Sequence, residues 1–339
     1  MRHIFRSTML TAALALAGCD RQAQDASRDV PDTAAASKSI AGDGKATDQT
    51  GRIVIAPQFD EAESFSDGLA AVRVGAKFGY IDKQGKTVIT PQFDFAGAFS
   101  EGLAAVGIGS KNGYIDKQGK FVITPPFEIA DLFPFSDGLA AIRIGEFLTG
   151  KWGYIDKQGK IAIKPQFESV GSFSDGLAVV GIDRKWGYID KQGRFVIKPQ
   201  FVSAGSFSAG MASVRVGDFL TGKNGYIDKQ GKLIINPQFD SAFPFHDGLA
   251  DVSMGDKYGF IDGRGQFVID PQFAFADSFS DGLAAVRIGD DTTGKYGFID
   301  RSGMVVIKPQ FDQISAFSEG LAAVRVGDDK TGKYGYIAR

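Results

Sequence analysis

The sequence predicts an all-β repeat protein, and three observations carry that expectation. A Lys-x-Gly motif places its glycine at Gly79, Gly113, Gly153, Gly187, Gly225, Gly259, Gly297 and Gly335, at spacings of 34, 40, 34, 38, 34, 38 and 38 residues. Each copy carries short β-branched and aromatic runs separated by glycine turns, the pattern of strands joined by hairpins. Glycine, at 44 residues, and phenylalanine, at 29, are both abundant, which suits many tight turns between small apolar layers. A fixed period in this range means units that bury their apolar faces against their neighbours. Residues 51–339 therefore read as one array of eight antiparallel meanders, each of about 34–40 residues.

The N-terminal stretch is different. Arg2, His3 and Arg6 precede an apolar run over residues 9–17. That run is too short to span a bilayer, which takes roughly 20 apolar residues, and it has the layout of an export signal. It ends in Leu16-Ala17-Gly18-Cys19, which resembles a bacterial lipobox. The resemblance implies a signal peptide at residues 1–18 and lipid attachment at Cys19, the only cysteine in the sequence. It also implies a place in the bacterial envelope, facing the periplasm, with the membrane as first partner. Asp20 resembles a signal for retention in the inner membrane and favours it over the outer one. Residues 20–50 hold no aromatic and few aliphatic side chains. Such a segment cannot bury enough surface to offset its ordering entropy, so residues 19–50 are expected to form the lipidated cysteine and a disordered tether.

Within the array, the second unit illustrates the rest. Residues 102–109 (GLAAVGIG), 112–116 (NGYID) and 120–124 (KFVIT) read as three strands. The Asp-Lys-Gln-Gly-Lys between the last two suits a hairpin with glycine in the left-handed region. A proline follows each third strand, as at Pro91 and Pro165, and is expected to end it. Phe127, Phe133 or Phe135, and Leu139 are left to plug the gap between layers. Four-residue insertions (EFLTG, DFLTG, DDTTG, DDKTG) fall between the first and second strands of units three, five, seven and eight, so that hairpin tip is expected at the surface. Lys-Trp-Gly-Tyr-Ile-Asp-Lys-x-Gly-Lys, then Pro-x-Phe-Asp, then Phe-Ser-Asp-Gly-Leu-Ala resembles the bacterial WG (KWG) repeat over residues 51–339. The resemblance speaks for architecture and leaves activity open.

Function classes can be narrowed. A net charge of −2 supplies no basic face for a phosphate backbone, so nucleic acid is not an expected partner. Two histidines and one cysteine cannot build a Cys/His metal cluster, and neither metal nor cofactor is expected. The aspartates at Asp82, Asp116, Asp156, Asp190, Asp228, Asp262 and Asp300 recur with the period, as turn-formers do and a catalytic site does not. The acids of the Asp-Gly-Leu motif read alike, and His246 reads as drift at a serine position. Two rows remain as candidates for binding. One is the x of Lys-x-Gly: Phe78, Trp152, Trp186, Tyr258, Tyr296 and Tyr334, with Asn112 and Asn224, able to stack on sugar rings or partner side chains, or simply to pack on the next repeat. The other is Arg73, Arg143, Arg215, Arg287 and Arg325, suited to anionic groups or to a solvated strand face.

The expected function is a non-catalytic, envelope-anchored scaffold for a protein or a cell-wall glycan. A glycan-active enzyme and a plain spacer are the alternatives. Variable copy number in such arrays favours an open solenoid. The ends of the array argue for the alternative, a closed propeller-like ring: residues 53–55 and 333–337 are the two halves of one hairpin.

Overall fold

The computed structural model describes residues 51–124, 129–146, 149–289, 294–327 and 331–339. The expected signal peptide, Cys19, Asp20 and the tether lie outside these residues.

The protein folds into eight four-stranded antiparallel sheets. In the first, β2 (Glu61–Ala62), β3 (Leu69–Val74), β4 (Lys77–Asp82) and β5 (Thr87–Phe93) follow in order. The eighth is completed from the other end of the array. Here β1 (Ile53–Phe59) adds to the C-terminal strand Lys333–Ala338, with Ile53 opposite Ile337, Ile55 opposite Tyr336 and Phe59 opposite Tyr334. The array is thus a closed eight-bladed β-propeller, and the open solenoid favoured by the sequence is corrected to its alternative.

The reason lies in the cores, which sit between blades. Leu69, Tyr80, Ile89 and Phe93 of the first blade pack with Phe99, Val106 and Ile115 of the second. The same grouping recurs at every seam. At the last, Ile55, Phe59 and Tyr336 of the eighth blade pack with Phe65, Val72 and Ile81 of the first. An open array would leave those two faces in water, and burying them is worth roughly 25 cal/mol per Å² of apolar surface.

Two further expectations change. Each unit has four strands, since a pair of residues such as Glu61–Ala62 forms an extra one, too short to leave a period in the sequence. The proline does not end the strand: β5 runs through Pro91 to Phe93. The strand bulges there, with Ile89 opposite Tyr80 but Phe93 opposite Phe78. Proline is tolerated at a bulge on a sheet edge, where its missing N–H costs no ladder bond.

The bulge folds over Gly79. A Cβ at that position would stand 2.5 Å from the Ile89 carbonyl oxygen and 2.7 Å from the Pro91 nitrogen. The glycine of the repeat name is therefore required by close backbone approach.

Candidate functional site

The two candidate rows meet in four of the blades. Arg73 faces Phe78 across the β3–β4 hairpin. Arg143 likewise faces Trp152, Arg287 faces Tyr296 and Arg325 faces Tyr334, while Arg215 faces Asn224. The Arg143 guanidinium lies 5.5 Å from the Trp152 ring centre and that of Arg287 5.9 Å from Tyr296, within cation–π range. On the inner side Glu61 pairs with Arg73 at 2.6 Å and Asp131 pairs with Arg143. On the outer side each aromatic faces a phenylalanine, as Trp152 faces Phe167 and Trp186 faces Phe201. The result is a stripe across the first, third, seventh and eighth blades, whereas Trp186 and Tyr258 face Gly181 and Ser253.

Neither row is freely displayed. Phe78, Trp152, Trp186, Tyr258 and Tyr334 pack half-buried against the seam cores, and Tyr296 meets Phe275 at 5.7 Å between ring centres. Arg325 is only 7% exposed, so the arginines do not form a solvated face. An aromatic and an arginine in cross-strand register cover each other, which the linear spacing does not show.

Among the described residues one inserted loop is complete, and it lies at the tip of the hairpin that carries Arg215 and Asn224. The tip that is fully described runs over residues 218–222. The Asp218 side chain accepts hydrogen bonds from the backbone N–H groups of Leu220 and Thr221, which fixes the turn. Phe219 and Leu220 are left outside it, 62% and 86% exposed.

The opposite face is built by the Ser-Asp-Gly turns, each of which links to its neighbour. Asp67 and Gly68 have φ of 54° and 84°, the left-handed pair of a type I′ turn. The Asp67 carboxylate accepts from the Gly102 N–H at 2.7 Å, and Asp175 from Gly210 at 2.7 Å. The Ser100 hydroxyl donates to the Phe135 carbonyl at 2.6 Å. The circle closes with Glu319 accepting from Gly68 at 3.1 Å and Ser318 donating to Phe65. Direct bonds between like turns form only where blades converge. These turns therefore surround the axis, and the two-residue strands leading to them are the inner edges.

Cations reinforce the circle: Lys83 reaches the Glu319 carboxylate at 2.9 Å, and Lys157 reaches Glu101 at 3.0 Å. The periodic Asp82 caps its own turn instead, accepting from the N–H groups of Gln84 and Lys86, as the sequence led one to expect. The linking role of the Asp-Gly-Leu acids was not legible, because it joins residues of different units.

A third set of acids closes the seams beside the inner strands. Lys333 with the Gly75 N–H, Lys77 with Gly109, and Lys223 with Gly255 hold Asp60, Asp94 and Asp240 below the usual carboxylate range. A lowered folded pKa adds stability above the unfolded value, and this is lost as pH falls through the folded one. The contribution of these acids to the melting temperature should therefore be complete above about pH 5 and be lost below about pH 4. Lys333→Met should remove part of that loss, read by thermal scans across the range. Glu63 works the other way, since burial, with Glu61 beside it, raises its pKa and its ionisation costs stability.

Departures from the repeat gather in the fifth to seventh blades. Asp251 replaces the usual alanine and is 2% exposed. The Ser278 hydroxyl donates to it at 2.8 Å, and the Ser278 N–H donates to Asp277 at 2.9 Å. His246 is exposed.

The fold and the seam pattern define an eight-bladed propeller of repeated meanders. A family model described as WG containing repeat matches residues 48–78, 78–111, 113–146, 152–186, 186–218, 225–258, 258–290 and 296–334, and the protein belongs to that family. No curated protein matches it. Among solved structures, the crystal structure of a eukaryotic initiation factor is similar, with a TM-score of 0.52 and 11% identity over 78% of this protein and 91% of that one. The Pan2 WD40 domain of Neurospora crassa gives a TM-score of 0.42 and 12% identity over 83% and 89%. At such identity the first likeness speaks for the fold alone.

Proposed function

We propose that this protein is a non-catalytic binding scaffold, anchored through Cys19 at the periplasmic side of a bacterial inner membrane, which takes an envelope protein on its hairpin face. The observation that carries the reading is the inserted tip over residues 218–222, where Phe219 and Leu220 stand in solvent. Isolated apolar side chains on a surface are ordinary. Two adjacent ones held out by a turn that Asp218 fixes, on a rigid ring, are a preorganised contact, the kind that becomes an anchor when a partner covers it.

A protein partner suits this tip better than a glycan, because the aromatic rings able to stack on sugars are half-buried against the seam cores. A catalytic role has less support. The periodic acids are engaged in turns and seams. The pair that leaves the pattern, Asp251 and Asp277, converges on Ser278, and Asp251 is too buried to meet a polymer.

The test is site-specific photocrosslinking of the full-length protein in its native envelope. A photoreactive residue at position 219 should yield one discrete adduct, lost in Leu220→Ser, whereas one at position 86 on the turn face should not. Equal adducts from both positions would refute the docking face. A Cys19→Ser variant that still sediments with membranes would refute the anchor.

A further inference from the structure

We propose that the seam between the fifth and sixth blades is a docking point for a carboxylate carried by a partner protein, either that of an Asp or Glu residue or the terminal carboxylate. The proposal goes beyond the hairpin-face reading by naming a separate attachment point at one seam of the turn face.

The molecule supplies the precedent itself. At seven of its eight seams the glycine N–H of one turn donates to a carboxylate from the preceding blade: Gly68, Gly102, Gly138, Gly176, Gly210, Gly282 and Gly320 to Glu319, Asp67, Glu101, Asp137, Asp175, Asp247 and Asp281. At the eighth the acceptor position is Ala209, and among the described residues the Gly248 N–H has no acceptor. The cation that would clamp that acceptor is also missing. Its position in the sixth blade, matching Lys83 and Lys157, is Gly263. Both halves of one bridge are lost together, while the donor, Gly248, keeps its left-handed φ of 78°.

Three features make the place suited to an outside anion. The Arg301 guanidinium would stand 3.3 Å from a Cβ at Gly248, and among the described residues it has no hydrogen-bond or ion-pair partner. At the neighbouring seam the equivalent arginine, Arg339, lies 3.4 Å from the same point on Gly282, whose N–H holds the Asp247 carboxylate at 3.0 Å. A carboxylate on Gly248 would thus meet an arrangement the ring already uses. Second, His246 and Gly248 are exposed, so a partner can reach the site. Where glycine replaces lysine, an added Cβ would meet only Met211, at 3.6 Å. Third, Ala209 is held at φ 53°. Alanine is disfavoured in that region, which Gly adopts freely and where the short polar side chain of Asp or Asn is tolerated through local hydrogen bonds. The strain is retained although an aspartate, present at equivalent turns, would relieve it and fill the site from within.

A carboxylate on a backbone N–H beside a guanidinium forms charge-assisted hydrogen bonds. The seven internal occupants are carboxylates held at a single N–H, which favours that group over a phosphate.

The experiment is an NMR titration of the full ring labelled with 15N-glycine, using acetate and inorganic phosphate as separate probes at constant ionic strength. Acetate should shift the Gly248 amide downfield in a saturable way and leave the seven linked glycines in place. In Ala209→Asp the Gly248 amide should start at the shifted position and ignore acetate. Arg301→Gln should weaken the acetate response by about threefold or more. A linear drift shared by all turn glycines would overturn the proposal, and so would an Ala209→Asp ring that titrates like the native one. Tighter binding of phosphate would overturn the choice of carboxylate. If Ala209→Asp does not fold, the native titration and Arg301→Gln decide. Crosslinking at position 219 reads the other face, so this proposal and the hairpin reading fail separately.

Discussion

Deleting residues 1–59 is expected to unfold the ring rather than trim it. The deletion removes β1, the outer strand of the eighth blade, with its ladder to Lys333–Ala338. It also takes Ile55 and Phe59 out of the core that joins the eighth blade to the first. Truncating one buried Ile or Phe costs about 2–5 kcal/mol. Two of them, with a full strand ladder, come to roughly 5 kcal/mol or more, comparable to the whole stability of many domains. The shortened protein should melt well below the intact one, with a broadened transition in calorimetry. A deletion variant with the native melting temperature would show that β1 does not close the ring. Spin labels at positions 54 and 336 report the same point directly, with a separation of roughly 5–10 Å for neighbouring strands.

Gly187→Ala is expected to destabilise by about 3 kcal/mol, at the upper end of overpacking costs. The new Cβ would lie 2.5 Å from the Ile197 carbonyl oxygen, 2.6 Å from the Pro199 nitrogen and 2.8 Å from the Lys198 carbonyl carbon. All three are backbone atoms of the bulged outer strand, which is held by its ladder to Trp186 and Tyr188 and cannot swing aside as a flexible side group would. Gly181→Ala, on the strand that pairs with Gly187, is the control. Its Cβ would meet nothing closer than Ser169 at 3.4 Å, and the equivalent residue elsewhere is an arginine such as Arg73 or Arg143. That variant should be neutral or slightly stabilising in urea denaturation. Equal losses from both would mean that the close approach at Gly187 is not the cause.

Elements confined to one unit were legible in the sequence. The Asp82 turn is one, because its donors at Gln84 and Lys86 are two and four residues away. The β3–β4 hairpin is another, along with the surface position of the inserted tip over residues 218–222. Elements spanning two units were not. Tyr80 looked like any strand residue, yet its hydroxyl donates to the Gly97 carbonyl of the next blade at 2.8 Å and its ring packs 4.8 Å from Phe99. The signal missed was the recurrence of tyrosine at Tyr114, Tyr154, Tyr188, Tyr226 and Tyr336, a polar handle that a buried strand position keeps only when it has a partner. The alanine at position 209 and the glycine at position 263 each depart from the repeat in a different unit and drew no notice in one dimension. They became one event only when the fold set them on the two sides of one seam.

The sequence by itself determined that this is an all-β array of eight like units, where each hairpin turns, and that its acids recur as structure. Periodicity and turn chemistry are local and survive in one dimension. Only the tertiary structure decided between the open and closed arrays by pairing β1 with the last strand, and set arginine against aromatic in the blades that carry both. Closure depends on the small rotation between neighbouring blades, set by how the cores of two units interlock. That angle is a sum of many packing contacts across each seam, repeated eight times round the ring, and no residue or motif states it alone.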